Sequence, residues 1–286
     1  RPGPFPSPRY YEGLSLADME ARLRKDYLTA SGWLESAEAK LALRGGKPIP
    51  WFTYAAIHFL ERELSPDLAL FEYGAGQSTR YWAERLRRVV SIDHDPAFAE
   101  HAIKDGLPNL QVLLVEEQEE LTAAQRPWAD KLPSLPEPER TLRTYRSGQL
   151  NDAFRAYALK LLEFPTDTFD VVIVDGMARV FSAWAAIQHF DQGGFLVFDN
   201  SDRDFYEPAY RLLEQAGYRR LDFRGLSPIN PYEMCTSVFY RPSRFARTRW
   251  FPRKDQMSAP VTSAKDCGLG ILVLGFNRPY HLQAVL

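Results

Sequence analysis

The fold of this chain is decided by the stretch Phe71-Glu-Tyr-Gly-Ala-Gly-Gln-Ser-Thr79. Gly74 and Gly76 allow the backbone to bend tightly and to approach a ligand without a clash at Cβ. The stretch follows an apolar run and precedes a helix predicted from Ser78, whose first N–H groups would point at the same place. It therefore predicts a turn between a buried strand and a helix, with space for a small ligand against the turn.

The spacing of these glycines distinguishes the turn from loops that bind phosphate. A dinucleotide fingerprint has a third glycine where this chain has Thr79, and the lysine of a Walker motif is missing. Glu72 stands two positions before the first glycine, where a carboxylate is suited to accept from a cationic amine. We therefore expect a ligand that carries positive charge near this turn.

Short β-rich runs alternate with helical segments on both sides of the turn. The predicted strands cover residues 68–73, 88–92, 110–115, 169–174, 195–198, 218–223 and 236–240. The predicted helices between them cover residues 78–88, 96–105, 149–163, 182–190 and 208–216. This alternation indicates an α/β fold in which a mostly parallel sheet has helices on both faces, and the last two strands are expected to form an antiparallel pair.

The chain is predicted to have three parts. Residues 1–50 form a lead-in, with four prolines in its first fifteen residues, and a helical cap broken at Ser31-Gly32. Residues 51–242 form the main domain and begin with a helix over residues 51–64. Residues 116–166 interrupt this domain with a proline-containing insertion, which is either a lid over the ligand or a disordered surface segment. Residues 243–286 form a linker and the start of a further domain.

Composition excludes several classes of protein. The 286 residues carry 35 basic and 37 acidic side chains, a net charge of −2, so no overall field favours nucleic acid or a membrane surface. No apolar run reaches the ~18 residues of a membrane span. Two cysteines, Cys235 and Cys267, are too few for a disulfide framework and favour a reducing, cytoplasmic compartment.

A second signal follows one strand later, in Val89-Val-Ser-Ile-Asp-His-Asp-Pro96. A carboxylate at the end of the second strand of such a sheet can accept both hydroxyls of a bound ribose, and Asp93 holds this position. The alternative is that Asp93 only ends a strand. His94 is expected near the ligand because it is adjacent, whereas Asp95-Pro96 is typical of the start of a helix.

The ordered set of motifs over residues 51–240 resembles the class I S-adenosylmethionine-dependent methyltransferases. The set comprises Glu-x-Gly-x-Gly-x-Ser, the acid that ends the second strand, Phe169-Asp-Val-Val-Ile-Val-Asp-Gly176 and Gly193-Gly-Phe-Leu-Val-Phe-Asp-Asn200. The resemblance implies a Rossmann-like sheet of seven strands whose last strand is antiparallel. The cofactor-binding residues that it implies are Glu72, Gly74, Gly76, Ser78, Asp93, His94, Glu117 (or Glu116 beside it) and Asp175.

The predicted chemistry lies after the fourth and fifth strands. Asp175 and Asp199-Asn200 resemble the arrangement by which catechol-type O-methyltransferases hold a magnesium ion, and three oxygen ligands suit such a cation. The alternative is that these residues only cap a helix and form a turn. In that case Asp199, Asp175 or a histidine would serve as the general base.

Two arginines follow the same strands, each four residues beyond an aspartate. Arg179 and Arg203 are predicted at the edge of the ligand crevice, where paired guanidinium groups would favour a carboxylate or phosphate on the acceptor. The alternative is two solvated surface arginines. Together with Asp175 and Asp199 they form the predicted catalytic set.

Residues 270–286 resemble the first strand of a nucleotide-sugar glycosyltransferase, so a fused glycosyltransferase-like domain and a glycan acceptor are expected. The sequence therefore predicts methyl transfer from S-adenosylmethionine to an oxygen of a sugar-containing or other small anionic acceptor. The alternatives are a degenerate methyltransferase fold that acts as a docking module and a nicotinamide-dependent oxidoreductase. Thr79 disfavours the oxidoreductase.

Overall fold

A computed structural model describes residues 13–104, 106–135, 152–191 and 194–242. These residues fall into two compact units, residues 13–27 and residues 28–242. The first unit contains helix α1, Leu16–Arg22, which begins at a capping box between Ser15 and Asp18. A π-helical segment, Leu23–Thr29, follows it in sequence. The predicted linker and further domain at residues 243–286 lie outside the described residues.

The second unit is built on a seven-stranded sheet. Its strands in chain order are β1 Ala69–Tyr73, β2 Arg88–Asp93, β3 Leu110–Leu114, β4 Val171–Val174, β5 Phe195–Asp199, β6 Arg219–Gly225 and β7 Met234–Tyr240. Their spatial order is β3-β2-β1-β4-β5-β7-β6. The first five strands pair in parallel, whereas β7 runs antiparallel to β5 and β6, between which it lies. The predicted Rossmann-like fold with an antiparallel last strand is therefore confirmed.

The register of the central strands places the candidate residues at one edge. Tyr73 at the end of β1 pairs with Ile92 of β2 on one side and with Val174 of β4 on the other. The carboxyl ends of these three strands are therefore level. Because β1 lies at the point where the strand order reverses, the residues that follow it face the crevice in which such sheets bind ligands.

Helices cover both faces of the sheet. Their bounds are α2 Trp33–Ala39, α3 Tyr54–Glu63, α4 Gln77–Ala83, α5 Pro96–Ile103, α6 Arg126–Ala129, α7 Arg155–Leu159, α8 Arg179–His189 and α9 Glu207–Gln215. Residues of β1 alternate between two buried clusters, since Phe71 and Tyr73 pack on one face and Leu70 packs on the other. No helix among the described residues is long and apolar enough to cross a bilayer.

The described parts of the insertion pack against the domain. The Trp128 ring meets the Trp184 ring of α8 edge-on at 6.3 Å, and the Gln125 amide donates to the Ala156 carbonyl at 2.9 Å. The predicted helix over residues 149–163 is interrupted: its described part consists of two short 3₁₀ segments, Asp152–Phe154 and Lys160–Glu163, on either side of α7. Residues 136–151 are outside the described part, and none of the described insertion residues lines the cavity discussed below.

The part of the cap that belongs to the second unit is held by polar contacts. The Ser36 hydroxyl donates to the Leu43 carbonyl and accepts from the Leu43 N–H, both at 2.9 Å. The two-stranded hairpin of Leu43–Arg44 and Lys47–Pro48 turns through two glycines whose N–H groups donate to the Glu35 carboxylate. The Trp33 indole donates to the Asn230 carbonyl at 2.9 Å, which ties the cap to the sheet side of the domain.

Candidate active site

A cavity of about 630 Å³ opens at the carboxyl edge of β1, β2 and β4. Residues 74–78 form the floor of the cavity. One side is formed by Asp93, His94 and the facing surface of α5, and another side by residues 175–177. The cap contributes residues 40–42 and Trp51. Six of the sequence-predicted residues line this cavity, namely Gly74, Gly76, Ser78, Asp93, His94 and Asp175.

The turn after β1 approaches the turn after β4 so closely that both require glycine. Gly74 has a φ of 99°, and a Cβ there would lie 2.9 Å from the Gly176 nitrogen. A Cβ on Gly176 would lie 2.0 Å from the Tyr157 hydroxyl oxygen and 2.8 Å from the Gly74 nitrogen. Gly76 differs, because a Cβ there would meet no atom within 4 Å. The chain therefore leaves open space beside Gly76, where a ligand can lie against the backbone.

All three N–H groups of this turn are already used within the protein. Gly74 donates to the Ile92 carbonyl at 2.8 Å, Ala75 donates to Asp93 Oδ2 at 2.8 Å, and Gly76 donates to Thr79 Oγ1 at 2.9 Å. A pyrophosphate needs free backbone N–H groups at such a turn. Thr79, which replaces the third glycine of a dinucleotide fingerprint, thus takes up the N–H of Gly76 itself.

Glu72 lies beneath the turn and does not line the cavity. Its Oε2 accepts from the hydroxyls of Thr79 and, at 2.8 Å, of Ser91, whereas no described residue forms a hydrogen bond with its buried Oε1. Complete burial raises the pKa of Glu72 to about 7, although the surrounding hydroxyls oppose the shift. Glu72 therefore does not reach a cationic amine in the cavity, contrary to the expectation from its position, and its contact with Thr79 supports the turn instead.

Asp93 is 5% exposed and turns its carboxylate to the cavity edge. Its Oδ2 accepts from Ala75 N–H and its Oδ1 accepts from Asp95 N–H at 2.9 Å, so the side chain has a fixed orientation. Oδ2 keeps a further lone pair that can accept from a hydroxyl. His94 Nδ1 lies 3.1 Å from Asp93 Oδ1, and this contact raises the pKa of His94.

A buried guanidinium occupies the corner after β4 and β5. Arg179 is 7% exposed, and α8 begins at this residue, three positions earlier than predicted. Its Nε donates to the Gly176 carbonyl, Nη1 donates to the Asp199 carbonyl and Asn200 Oδ1, and Nη2 donates to the carbonyl and Oδ1 of Asp175. All five donors of the guanidinium are thus used. Arg179 is therefore not available to an anionic acceptor, contrary to the expectation from its spacing.

The two carboxyl groups at this corner differ in access to the cavity. Asp175 lines the cavity with a side chain that is 26% exposed. Burial raises the pKa of Asp175, and the charges of Arg179 and Arg203 oppose that shift. Asp199 is 3% exposed, accepts from the Thr236 hydroxyl and the Asn200 amide, and does not line the cavity. Burial raises the pKa of Asp199 to about 8, although the charge of Arg179 opposes the shift.

The residues predicted to hold magnesium do not fit that ion. The Asp175 Oδ1 and the Asn200 Oδ1 accept from Arg179, and both Asp199 oxygens accept from neutral groups. A positive charge of the protein itself therefore stands where the divalent cation was expected. Across the described ranges, no group of three or more His, Cys, Asp or Glu side chains is arranged to hold a metal.

Three other predicted residues lie away from the cavity lining. Arg203 is half-buried and does not line the cavity, but its charge opposes the rise in the pKa of Asp175. Glu116 and Glu117 are exposed after β3 and do not line the cavity, so this arrangement does not support the cofactor contact that the resemblance implies for them. The exposed ring of Phe98 and the His101 imidazole on α5 do line the cavity.

Several residues that shape the site were not found from the sequence. Tyr157 of the insertion places its hydroxyl between the ends of β2 and β4, 3.3 Å from the Ile92 carbonyl. Lys40 and Trp51 reach the cavity from the cap. Nothing in the local sequence marks these contacts, because they join segments far apart in the chain. Gly176, which follows Asp175, is the sequence feature that could have indicated that the turns after β1 and β4 approach each other closely.

No family model matches this chain, and no curated protein matches it in sequence. Solved structures with a similar backbone include a methyltransferase-like protein from Silicibacter pomeroyi, 18% identical, covering 70% of this chain and 95% of that one with a TM-score of 0.42. Precorrin-6Y C5,15-methyltransferase from Geobacter metallireducens is 14% identical and covers 71% of this chain and 95% of that one, with a TM-score of 0.44. N-methyltransferase NodS from Bradyrhizobium japonicum is 14% identical and covers 62% of this chain and 87% of that one, with a TM-score of 0.36. At these values the likeness carries no argument about what this chain binds.

Proposed function

We propose that this chain is a methyltransferase that binds S-adenosylmethionine in the cavity at the ends of β1, β2 and β4. The observation that supports this most is the state of the turn after β1. Its three N–H groups are consumed internally, while the cavity beside it is lined by the carboxylates of Asp93 and Asp175. Such a site favours a nucleoside with positive charge over one that carries a pyrophosphate.

The groups that would hold the cofactor match its parts. The Asp93 carboxylate would accept from the ribose hydroxyls, since its orientation is fixed by two backbone N–H groups. The open space at Gly76 would take the methionine chain. The cavity volume lies within the range of about 300–1,000 Å³ that small-molecule sites have.

S-adenosylmethionine supplies an electrophilic methyl group when bound, so the protein must mainly place an acceptor and remove its proton. Asp175 is the carboxylate that lines the cavity and whose pKa burial raises. It would take the proton of an acceptor hydroxyl while one of its oxygens remains held by Arg179 at 3.0 Å. The products would be the methyl ether and S-adenosylhomocysteine.

The acceptor is proposed to be a small, sugar-containing molecule with a negative charge. Arg203 supports this, because its charge acts at Asp175 and the structure shows no hydrogen bond that commits its guanidinium within the described part of the chain. Arg179 does not support it, because all donors of its guanidinium are used within the protein. The glycan component depends on the resemblance of residues 270–286 alone.

Isothermal titration calorimetry with S-adenosylhomocysteine and with NAD⁺ tests the cofactor. We expect binding of S-adenosylhomocysteine and none of NAD⁺. Binding of NAD⁺ with no binding of S-adenosylhomocysteine would refute the proposal. Transfer of a labelled methyl group from S-adenosylmethionine to a nucleoside diphosphate sugar, compared with the uncharged sugar, tests the acceptor. Cofactor binding without turnover on any acceptor would favour the docking module.

A further inference from the structure

We infer that Lys40 of the cap binds the carboxylate of the cofactor's amino-acid part, which makes the cap a component of the cofactor site. This inference rests on the proposed function. A sulfonium nucleoside of this kind carries one carboxylate, and the N–H groups of Gly74, Ala75 and Gly76 in the turn after β1 are already used. A cationic side chain in the cavity lining would give that carboxylate a charge-assisted hydrogen bond.

Lys40 is the one lysine or arginine among the described residues that line the cavity. The other charged lining groups are two aspartates, which repel a carboxylate, and two histidines. His94 is held by Asp93, and His101 Nε2 lies 3.0 Å from Gln77 Oε1. Among described residues, none is paired with the Lys40 ammonium, so its charge is available to a ligand.

The backbone around Lys40 is fixed, which allows a flexible side chain to serve as a specific contact. Lys40 directly follows α2 and has a left-handed φ of 57°. Next to it, Ala42 is 2% exposed in the same buried cluster as Phe52 of the main domain. The contact between Ser36 and Leu43 closes the segment from the other side. The cap therefore presents Lys40 to the cavity from a packed wall.

The test compares two probes in the full chain by calorimetry. S-adenosylhomocysteine has the amino-acid carboxylate, whereas 5′-methylthioadenosine has the same nucleoside and sulfur without it. We expect Lys40→Met to weaken S-adenosylhomocysteine about tenfold and to leave 5′-methylthioadenosine within about twofold. Lys40→Arg should restore most of the loss. Lys47→Met removes an exposed lysine that does not line the cavity and should change neither affinity.

Each other result has a definite meaning. If Lys40→Met weakens both probes equally, or weakens neither, the inference is overturned while the proposed cofactor stands. If the unmodified chain binds S-adenosylhomocysteine no better than 5′-methylthioadenosine, the carboxylate contributes nothing and the inference again fails. If the unmodified chain binds neither probe, the proposed function fails and the inference fails with it.

Discussion

The two corners at the carboxyl edge of the sheet begin alike and end differently. Each corner has a glycine turn and two acidic side chains. These are Glu72 and Asp93 at the corner after β1 and β2, and Asp175 and Asp199 at the corner after β4 and β5. At the first corner, Asp93 faces a cavity and Gly76 leaves open space beside it. At the second corner, Arg179 fills the space between the acidic side chains with its own guanidinium.

The difference shows that the position of an acidic residue at a strand end does not determine which group stabilises its carboxylate. Asp93 is stabilised by two backbone N–H groups and remains able to accept from a ligand. Asp175 and Asp199 are stabilised by an arginine that is the first residue of α8. One corner thus borders the cavity with an accessible carboxylate, and the other is closed by the guanidinium and contributes only the Asp175 carboxylate to the cavity lining.

Removal of the internal cation should have the largest effect. Arg179→Met would leave the Asp175 carboxylate and the carbonyls of Asp175, Gly176 and Asp199 without the guanidinium donors, so we expect the free energy of unfolding to fall by about 3–5 kcal/mol. Chemical denaturation at neutral pH measures this change. Replacing Asp175 by Asn in the same chain should recover part of the loss, because it removes the carboxylate charge that the guanidinium no longer compensates.

The control is Arg224→Met, which removes a 53% exposed arginine 3.7 Å from Glu233. A surface pair of this kind contributes less than about 1 kcal/mol. If both variants lose equally little stability, the guanidinium does not close the second corner. A rise in the wild-type melting temperature on addition of Mg²⁺ would contradict the account in the same way.

The first corner should show its effect in the pH dependence of stability. Because the pKa of Glu72 is raised from 4.5 to about 7 in the folded chain, the folded state keeps a proton that the unfolded state loses. The free energy of unfolding of the wild type, relative to that of Glu72→Gln, should therefore fall by about 3 kcal/mol in total as the pH rises through this window. Denaturation of both chains from below pH 4.5 to above pH 7 measures it.

Glu38→Gln serves as the control, since Glu38 is exposed on α2. Its stability should run parallel to that of the wild type over the same pH range. A Glu72→Gln profile that also runs parallel to the wild type would show that Glu72 is ionised in the folded state, and the two corners would then be more alike than the structure indicates.

The smallest expected effect concerns the hydroxyl that holds the turn. Thr79 Oγ1 accepts from Gly76 N–H and donates to Glu72. Thr79→Val removes both contacts, so hydrogen exchange at the Gly76 amide should become about tenfold faster. Thr79→Ser keeps the hydroxyl and should exchange nearly as slowly as the wild type. Equal exchange in all three chains would mean that Thr79 does not protect this amide.

The first corner could be predicted from the sequence because its residues lie in one local motif. Glu72, Gly74, Gly76 and Ser78 are fixed by the turn, and Asp93 follows from the end of the next strand. The strand order was predicted for the same reason, since alternating strands and helices leave few topologies.

The second corner could not be predicted from spacing alone. The positions of Asp175, Asp199 and Asn200 were placed correctly at strand ends, but the spacing of Arg179 did not reveal that α8 begins there and turns the guanidinium inward. Lys40 and Tyr157 were missed because the cap and the insertion reach the site only through tertiary packing.

A crystal structure of the chain grown with Mg²⁺ and soaked in S-adenosylhomocysteine tests the contrast between the corners most directly. The account predicts the nucleoside in the cavity, its ribose hydroxyls on Asp93, its amino-acid part beside Gly76, and the Arg179 guanidinium still between Asp175 and Asp199. An empty cavity, or a metal ion that has displaced the guanidinium, would contradict it.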